Sequence, residues 1–531
     1  MRAFAKLLDQ LYFTSANNAK RAYLLDYFRS TPDPDRGFAL AALAGTLDFD
    51  LFKRGLIREL IEERVDPTLF AMSYDYVGEI SETVAHLWPT PPRQPGQPDD
   101  TDLPSLSRVI DEFRTAGKAD IRSLLADFLD RMNASERWAL LKLGTRGLRV
   151  GVSARFAKKV VAEFAGVDVH EVEEIWHALA PPYEDLFAWA EGRAPRPSIE
   201  GRVVFHPVML AHPLEDDKVE TISPDQFAAE WKYDGIRVQL VGERSGSGVF
   251  SRTGDDISGA FPDIRDAIDF RGVVDGELLI IRNGEIGSFQ DLQTRLGRKS
   301  PSAKMIAERP AGIMLYDALN LDGEDIRPLP FRERRIRLEA FSAPRKGGRF
   351  HLSPLVTFES VEALAALRAQ IAGEDAGLIE GLMLKRWDAP YLPGRPTGQW
   401  YKWKRDPLLL DAVLMYAQRG HGKRSSFYSD YTFGLWKDDQ LLPIGKAYFG
   451  FSDDELKQLD KWVRAHAIGR FGPVREVEKA LVFEVAFDSA HRSKRHKSGF
   501  ALRFPRISRI RWDKPAHEAD QLSALETLVG E

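Results

Sequence analysis

Residues 230–237 read Glu230-Trp231-Lys232-Tyr233-Asp234-Gly235-Ile236-Arg237. Taken alone, a lysine beside an aspartate and an arginine is usually a solvated charged turn. Chemistry offers a sharper reading. A lysine amine can attack an electrophile, but with a reference pKa of ~10.4 under ~0.1% of it is free amine at pH 7. Partial burial and nearby cations raise that fraction in proteins that use lysine this way. Lys232 lies between two aromatic residues, with Arg237 close by. Gly235 permits a turn or a close approach of backbone.

Outward from this stretch, the chain changes character near residue 200. Downstream, short β-rich runs recur: 236–241, 273–281, 312–319 and 381–385, with a helical pattern at 361–371. They predict an α+β domain on antiparallel sheets over 201–405. Beyond it, runs at 410–417, 431–436, 446–450 and 481–487 surround one helix at 453–467. Several short strands plus one helix over 406–531 predict a small barrel of OB-fold type. Upstream, residues 1–200 read as an all-α domain. Ile121, Leu124, Leu125, Phe128, Leu129 and Met132 form one apolar stripe at helical spacing. Ser135 is expected to cap a new helix at Glu136, and Ser153 the helix carrying Phe156, Val160, Val161 and Phe164. Between them lies a Gly-rich turn, 144–152, with Arg146 and Arg149. Six prolines at 89–104 predict an exposed loop.

The 531 residues are enough for three or four domains. Lys plus Arg is 74 against 79 Asp plus Glu, so the net charge of -5 advertises no polyanion partner. A nucleic-acid surface would need local clustering. Cysteine is absent, which excludes disulfides, Cys-ligated zinc, iron–sulfur clusters and a thiol nucleophile. There is no G-x-x-x-x-G-K-[ST] and no helix-opening G-x-G-x-x-G. No run of 18 apolar residues occurs, and residues 1–28 carry charges every few positions, so no membrane association and a cytoplasmic location are expected.

KYDGIR at 232–237 resembles motif I of the covalent nucleotidyltransferases, which comprise DNA ligases, RNA ligases and mRNA-capping enzymes. Similar counterparts of the other motifs follow in order. They are SRTGDDIS at 251–258, VVDGEL at 273–278, MLYDALNLDGEDI at 314–326, EGLMLK at 380–385, WYKWKR at 400–405 and LRFPRISRIRWDK at 502–514. LRVGVSARFAKKVVAEF in the helical region is similar to the DNA-binding domain of larger ATP-dependent DNA ligases. The resemblance covers nearly the whole chain. Tyr316 stands where phenylalanine is commoner, and Trp231 where a tyrosine or smaller residue is often found.

The resemblance implies an ATP-dependent DNA ligase. Such an enzyme seals 5′-phosphate/3′-hydroxyl nicks in duplex DNA through a lysyl-AMP and an adenylated DNA, in repair, replication or recombination. It implies a helical DNA-binding domain, a nucleotidyltransferase (adenylation) domain and an OB-fold β-barrel, together encircling nicked double-stranded DNA as a monomer. Lys232 would be the catalytic nucleophile. Glu230, Arg237, Arg252, Glu277, Tyr316, Lys385, Lys402, Lys404, Arg511 and Lys514 would bind ATP. Glu277, Glu380 and Asp234 would hold Mg²⁺, with Mn²⁺ as a substitute.

Some of these roles have support from the residues themselves. Lys402 and Lys404 alternate with Tyr401 and Trp403, so on a strand they share one face. The same parity sets Glu380 with Leu382 and Leu384 on a buried face, where a carboxylate needs a ligand or partner. Glu230 has a carboxylate or a backbone suited to the adenine amino edge, and Tyr316 could stack on the base. Residues 491–514 hold nine Lys or Arg against one acid. Arg492, Lys494, Arg503 and Arg506 there, Lys423 and Arg424 beside aromatics, and Arg146 and Arg149 are the expected DNA contacts. An RNA ligase or capping enzyme competes within the superfamily, and a non-catalytic DNA-binding protein outside it. The helical first 200 residues disfavour the former two. The joint presence of Lys232, Glu277, Glu380, Lys402 and Lys404 disfavours the latter.

Overall fold

The computed structural model describes residues 1–49, 51–89, 103–145, 147–345, 348–371, 378–419, 427–472, 474–494 and 496–529. Most of the proline-rich segment, with Arg146, Lys423 and Arg424, lies outside them. Two compact units divide the chain, Met1–Lys404 and Arg405–Glu531.

The first unit opens with helices from Arg2–Phe13 to Glu184–Ala190. The predicted stripe forms the helix Ile121–Arg131, which buries Ile121, Leu125, Phe128 and Leu129. The next helix, Ala134–Gly144, is capped by Asn133 rather than Ser135. The Asn133 side chain accepts from the Glu136 N–H at 3.0 Å, and Glu136 accepts from the Asn133 N–H at 2.9 Å. This reciprocal pair satisfies two backbone donors, and only a residue three before Glu136 can form it. Ser153 caps Ala154–Ala165 as expected, accepting from Phe156 N–H at 3.2 Å. The Gly-rich turn before it is clamped from within. Lys20 Nζ donates to the carbonyls of Val150 and Gly151 at 2.6 and 3.1 Å.

Two sheets follow. Among the described residues, the first runs His212–Pro213, Trp400–Lys404, Ile379–Arg386, Phe227–Tyr233, Leu355–Val356. Its pairings are antiparallel except the first, which is parallel. The second sheet is antiparallel through Gly246–Ser251, Ile236–Glu243, Gly272–Arg282 and Ala311–Leu321. Apolar residues sort by strand parity. Phe227, Ala229, Leu382, Leu384, Tyr401 and Trp403 pack on one face of the first sheet. Val238, Leu240, Val274, Leu278, Ile313 and Leu315 pack on one face of the second. The opposite faces are mixed: Val241, Val273, Leu319 and Trp400 join a further apolar cluster there, beside the polar residues described below.

The second unit is built on the long strand Leu408–Arg419. One edge pairs with Tyr428–Lys437. The other pairs with Val482–Phe487 along residues 408–413 and with Val474–Val477 along residues 416–418. The helix Asp453–Ala465, closed by a Ser452/Glu455 capping box, places Leu459 and Val463 in the core. The strand expected at 446–450 is instead Gln440–Ala447. Its pairing with Tyr428–Lys437 ends at Ala447, and Tyr448 and Phe449 are exposed.

Candidate active site

Only Asp234 and Gly235 separate the strand Phe227–Tyr233, in the first sheet, from Ile236–Glu243 in the second. Residues 230–237 therefore supply side chains to both sheets. The crossing is tight. A Cβ on Gly235 would sit 2.6 Å from the Leu278 carbonyl oxygen and 2.7 Å from Glu277 Cγ. Gly235→Ala is therefore expected to cost roughly 1–3 kcal/mol of stability. The same Cβ would push Glu277 from its place near Lys232. Denaturant unfolding checks the loss of stability.

Lys232 pairs across the ladder with Gly381, and Gly381 with Lys404. Glu230, Met383 and Lys402 form the neighbouring row. Directly opposed and i, i+2 residues share a face. Lys232, Lys402 and Lys404 thus stand together on the face away from the Leu382–Leu384 core.

Glu380 joins them, against the parity expectation. Ile379 pairs with Tyr233 and Gly381 with Lys232, so Glu380 is the extra residue of a β-bulge. A bulge interrupts the alternation and re-aims the side chain. Lys232 Nζ donates to Glu380 Oε2 at 2.5 Å, and Lys404 Nζ lies 3.6 Å from the same oxygen. The pair is largely sheltered, with Lys232 23% and Glu380 16% exposed.

Cations surround this pair. Lys402 is held below the usual lysine range by burial, then by Lys404, Arg395, Lys232 and Arg252. Arg252 is lowered by burial and by Arg237 and Arg395. Arg395 is a member that the sequence reading missed. It lies between the Glu380 and Lys402 strands, where its one local signal is the Gly394-Arg395 turn. Such a concentration of like charge, partly removed from water, needs anions to settle it.

Glu277 pairs across the ladder with Arg237. Burial pushes its carboxyl up to about 7; Lys232 and Arg237 oppose this, while Glu380 and Asp234 add to it. Three carboxylates thus feel one another around Lys232. Among the described residues, no three His, Cys, Asp or Glu side chains form a cage for a metal ion. Hard oxygen donors supplied singly or in pairs suit Mg²⁺, which takes one or two carboxylates and completes its shell with water and phosphate oxygens.

Three of the expected ATP contacts are already engaged by protein partners. Both Glu230 carboxylate oxygens face cations. Oε1 accepts from Arg335 at 3.0 Å, Oε2 lies 2.5 Å from Lys385 Nζ, and the residue is buried. Lys385 is 1% exposed, and its Nζ also donates to the Tyr316 carbonyl at 2.9 Å. It sits 4.6 Å from the centre of the Tyr316 ring and 4.8 Å from that of Trp400. It is thus buried beneath Tyr316 and paired with Glu230. Arg237 donates to Met209 O at 2.5 Å, Asp275 Oδ2 at 2.6 Å and Tyr391 Oη at 3.1 Å, while its buried Nε has no hydrogen-bond partner. Tyr316 itself occupies a bulge, since Asp275 pairs with Asp317 and Gly276 with Leu315. Lys385 lies over its ring, and the Arg237 guanidinium is 5.8 Å from the ring centre.

The remaining candidates are dispersed. Arg511 and Lys514 both reach Asp411 Oδ2, at 3.2 and 2.7 Å, within the second unit. Arg511 also pairs with Asp513 at 3.0 Å. Arg149 is exposed on the turn held by Lys20, Arg492 is exposed over the Phe500 ring, and Lys494 is exposed. Arg503 lies over Phe504, whereas Arg506 is paired with Asp488 at 3.0 Å.

Comparison with known proteins adds three findings. Residues 208–404 match the family described as "ATP dependent DNA ligase domain", and residues 424–514 "ATP dependent DNA ligase C terminal region". A "Probable DNA ligase" of Koribacter versatilis is 33% identical, over 99% of this chain and 96% of that protein. A "DNA ligase 1" of Korarchaeum cryptofilum is 30% identical, over 80% of this chain and 77% of that protein. A solved structure described as "Pmar-Lig_PreS3" has the same fold at 16% identity, with a TM-score of 0.61 over 96% of this chain and 99% of that one.

Proposed function

The chain belongs to the ATP-dependent DNA ligases, and from that premise we propose that Lys232 carries the adenylyl group in nick sealing. The observation behind this reading is the Lys232–Glu380 contact inside a cluster of cations. The Lys232 amine attacks the α-phosphorus of ATP. A P–N bond forms, the bond to the bridging oxygen of the β-phosphate breaks, and pyrophosphate leaves. Glu380 Oε2 is close enough to take the amine proton. Lys402, Lys404, Arg252 and Arg395 spread the charge that builds on the phosphate oxygens. The nick's 5′-phosphate then attacks the lysyl-AMP phosphorus, and Lys232 departs with a proton. Finally the 3′-hydroxyl attacks the activated 5′-phosphate and AMP leaves.

Glu277 and Glu380, with Asp234 nearby, would hold Mg²⁺. The ion, when bound, neutralises phosphate charge. Tyr316, supported by Lys385, offers a face for the adenine ring. Further proposals are the three-domain division at about residues 200 and 405 and an OB-fold in the last domain. The strand Leu408–Arg419, which changes partner along its length, supports the latter. A monomer closing around nicked duplex suits exposed Arg149, Arg492 and Lys494. The location is cytoplasmic, on the nucleoid in a prokaryote, and the work is repair, replication or recombination.

The direct test is a pulse of α-labelled ATP with Mg²⁺, then a chase with nicked duplex. Label should appear on the Lys232 peptide, pass to the DNA 5′-end and emerge as AMP. A folded protein that takes up no label at Lys232 overturns the reading.

Arg511 and Lys514 are proposed to leave Asp411 and meet the β- and γ-phosphates when the last domain closes. Truncation is a poor test, because Ile507, Ile510, Leu522 and Leu525 are core residues. Arg511→Ala and Lys514→Ala are expected to slow self-adenylation by about tenfold or more. Sealing of a pre-adenylated nick should be spared. Equal loss of both activities would count against this closure.

A further inference from the structure

Two glycines in loops between the adenylation strands are covered by side chains from the helical region. A Cβ on Gly254 would lie 2.3 Å from His177 Cε1, and one on Gly394 2.6 Å from an Arg155 guanidinium nitrogen. His177 directly follows the helix Val169–Trp176, and Arg155 is in the first turn of Ala154–Ala165. These glycines are not arbitrary. Gly254 is in the turn that carries Arg252, and Gly394 immediately precedes Arg395. The charges of those two arginines both reach Lys402 in the proposed phosphate site.

Both loops are held by backbone hydrogen bonds. The Arg252 turn is closed by Gly254 N–H to Ser251 O at 2.9 Å and Ser251 N–H to Asp255 O at 2.8 Å. Gly394 is pinned on its other side by Gly394 N–H to Val208 O at 3.0 Å and Leu210 N–H to Gly394 O at 2.6 Å. The helices are themselves fastened. Glu174 accepts from Arg327 and lies 3.5 Å from His206. Arg327 O accepts from the Tyr391 N–H at 2.8 Å, and the Tyr391 hydroxyl donates to Asp275. Glu173 orients Arg155 at 3.1 Å. The His177 ring also meets Phe205 edge-on at 4.9 Å. Burial and Lys158 bring the His177 pKa down to about 4, so its ring acts neutral at neutral pH.

We propose that Arg155 and His177 are positioning residues for nucleotide transfer, setting from the helical region the two loops that present Arg252 and Arg395 to the ATP phosphates. This rests on the lysyl-AMP reading above and extends it, because it makes the helical region part of the first, DNA-free step. A region that served only to grip DNA would not influence that step.

The test uses full-length Arg155→Ala, His177→Ala and the double variant. AMP transfer from α-labelled ATP with Mg²⁺ is measured without DNA at varied ATP. The KM for ATP should rise by about tenfold in the double variant, with little change in the maximal rate. His177→Phe, which keeps a flat ring against Gly254, should restore the His177→Ala defect. Unchanged DNA-free transfer with weakened binding to nicked duplex would overturn the proposal and make both residues DNA contacts. A folded His177→Phe protein as defective as His177→Ala would overturn it too. If the unaltered protein takes up no label, the lysyl-AMP reading fails instead.

Discussion

Lys232→Ala protein is expected to take up no label from α-labelled ATP and to lose nick sealing by about three orders of magnitude or more. The variant lacks the amine that donates to Glu380 at 2.5 Å; Lys404 lies 3.6 Å from the same oxygen. Lys232→Arg separates chemistry from charge. It keeps a cation beside Glu380, so thermal stability should stay near that of the parent while adenylation is still lost, because a guanidinium stays protonated at neutral pH. Sealing of a pre-adenylated nick needs no attack by Lys232 and should survive better than overall ligation. Nick sealing by Lys232→Ala with ATP would remove the nucleophile assignment outright.

Lys385→Met should unfold more easily by about 3–5 kcal/mol. Lys385 and Glu230 are both almost wholly buried and face each other at 2.5 Å. Removing the ammonium leaves the Glu230 carboxylate with Arg335 alone, and a buried charge short of partners is expensive. It also takes away the cation beneath Tyr316. A denaturant melt checks the loss, and the KM for ATP, measured well below the melting temperature, tells the two roles apart. A phosphate-binding lysine would give unchanged stability and a raised KM. A supporting lysine gives the large loss in stability.

The contrast between Lys232 and Lys385 shows how far a linear reading reaches. Both lie in recognisable motifs, and both were expected to meet ATP. Lys232 stands in the polar cluster between the sheets. Lys385, on the same face of the same sheet, lies under Trp400 and Tyr316 instead. A motif names a residue but does not say whether it faces solvent or the packed interior. Glu380 carries the same lesson. Alternation along 379–386 sets it against the core, and one bulge opposite Lys232 turns it toward the amine. Bulges are products of pairing between strands about 150 residues apart, so no local period encodes them. Arg395 was missed because the charges it acts with sit on the Arg252 turn and the Lys402 strand, and only the fold brings that turn into range. Asn133 was missed for a local reason. The capping box was present in the sequence, but the nearer Ser135 was preferred over the residue three before Glu136.

The linear order of residues determined what depends on short range: the helical first 200 positions, most strand cores, the alternating lysines of 400–404, and the run of motifs that names the chemistry. Only the folded chain decided which charges meet. It paired Glu380 with Lys232, tied up Glu230 with Lys385 and Arg335, and brought Arg252 and Arg395 to Lys402. The reason is physical. Backbone preference and side-chain period act over a few residues, while electrostatic and packing energies depend on distances that long-range strand pairing alone establishes.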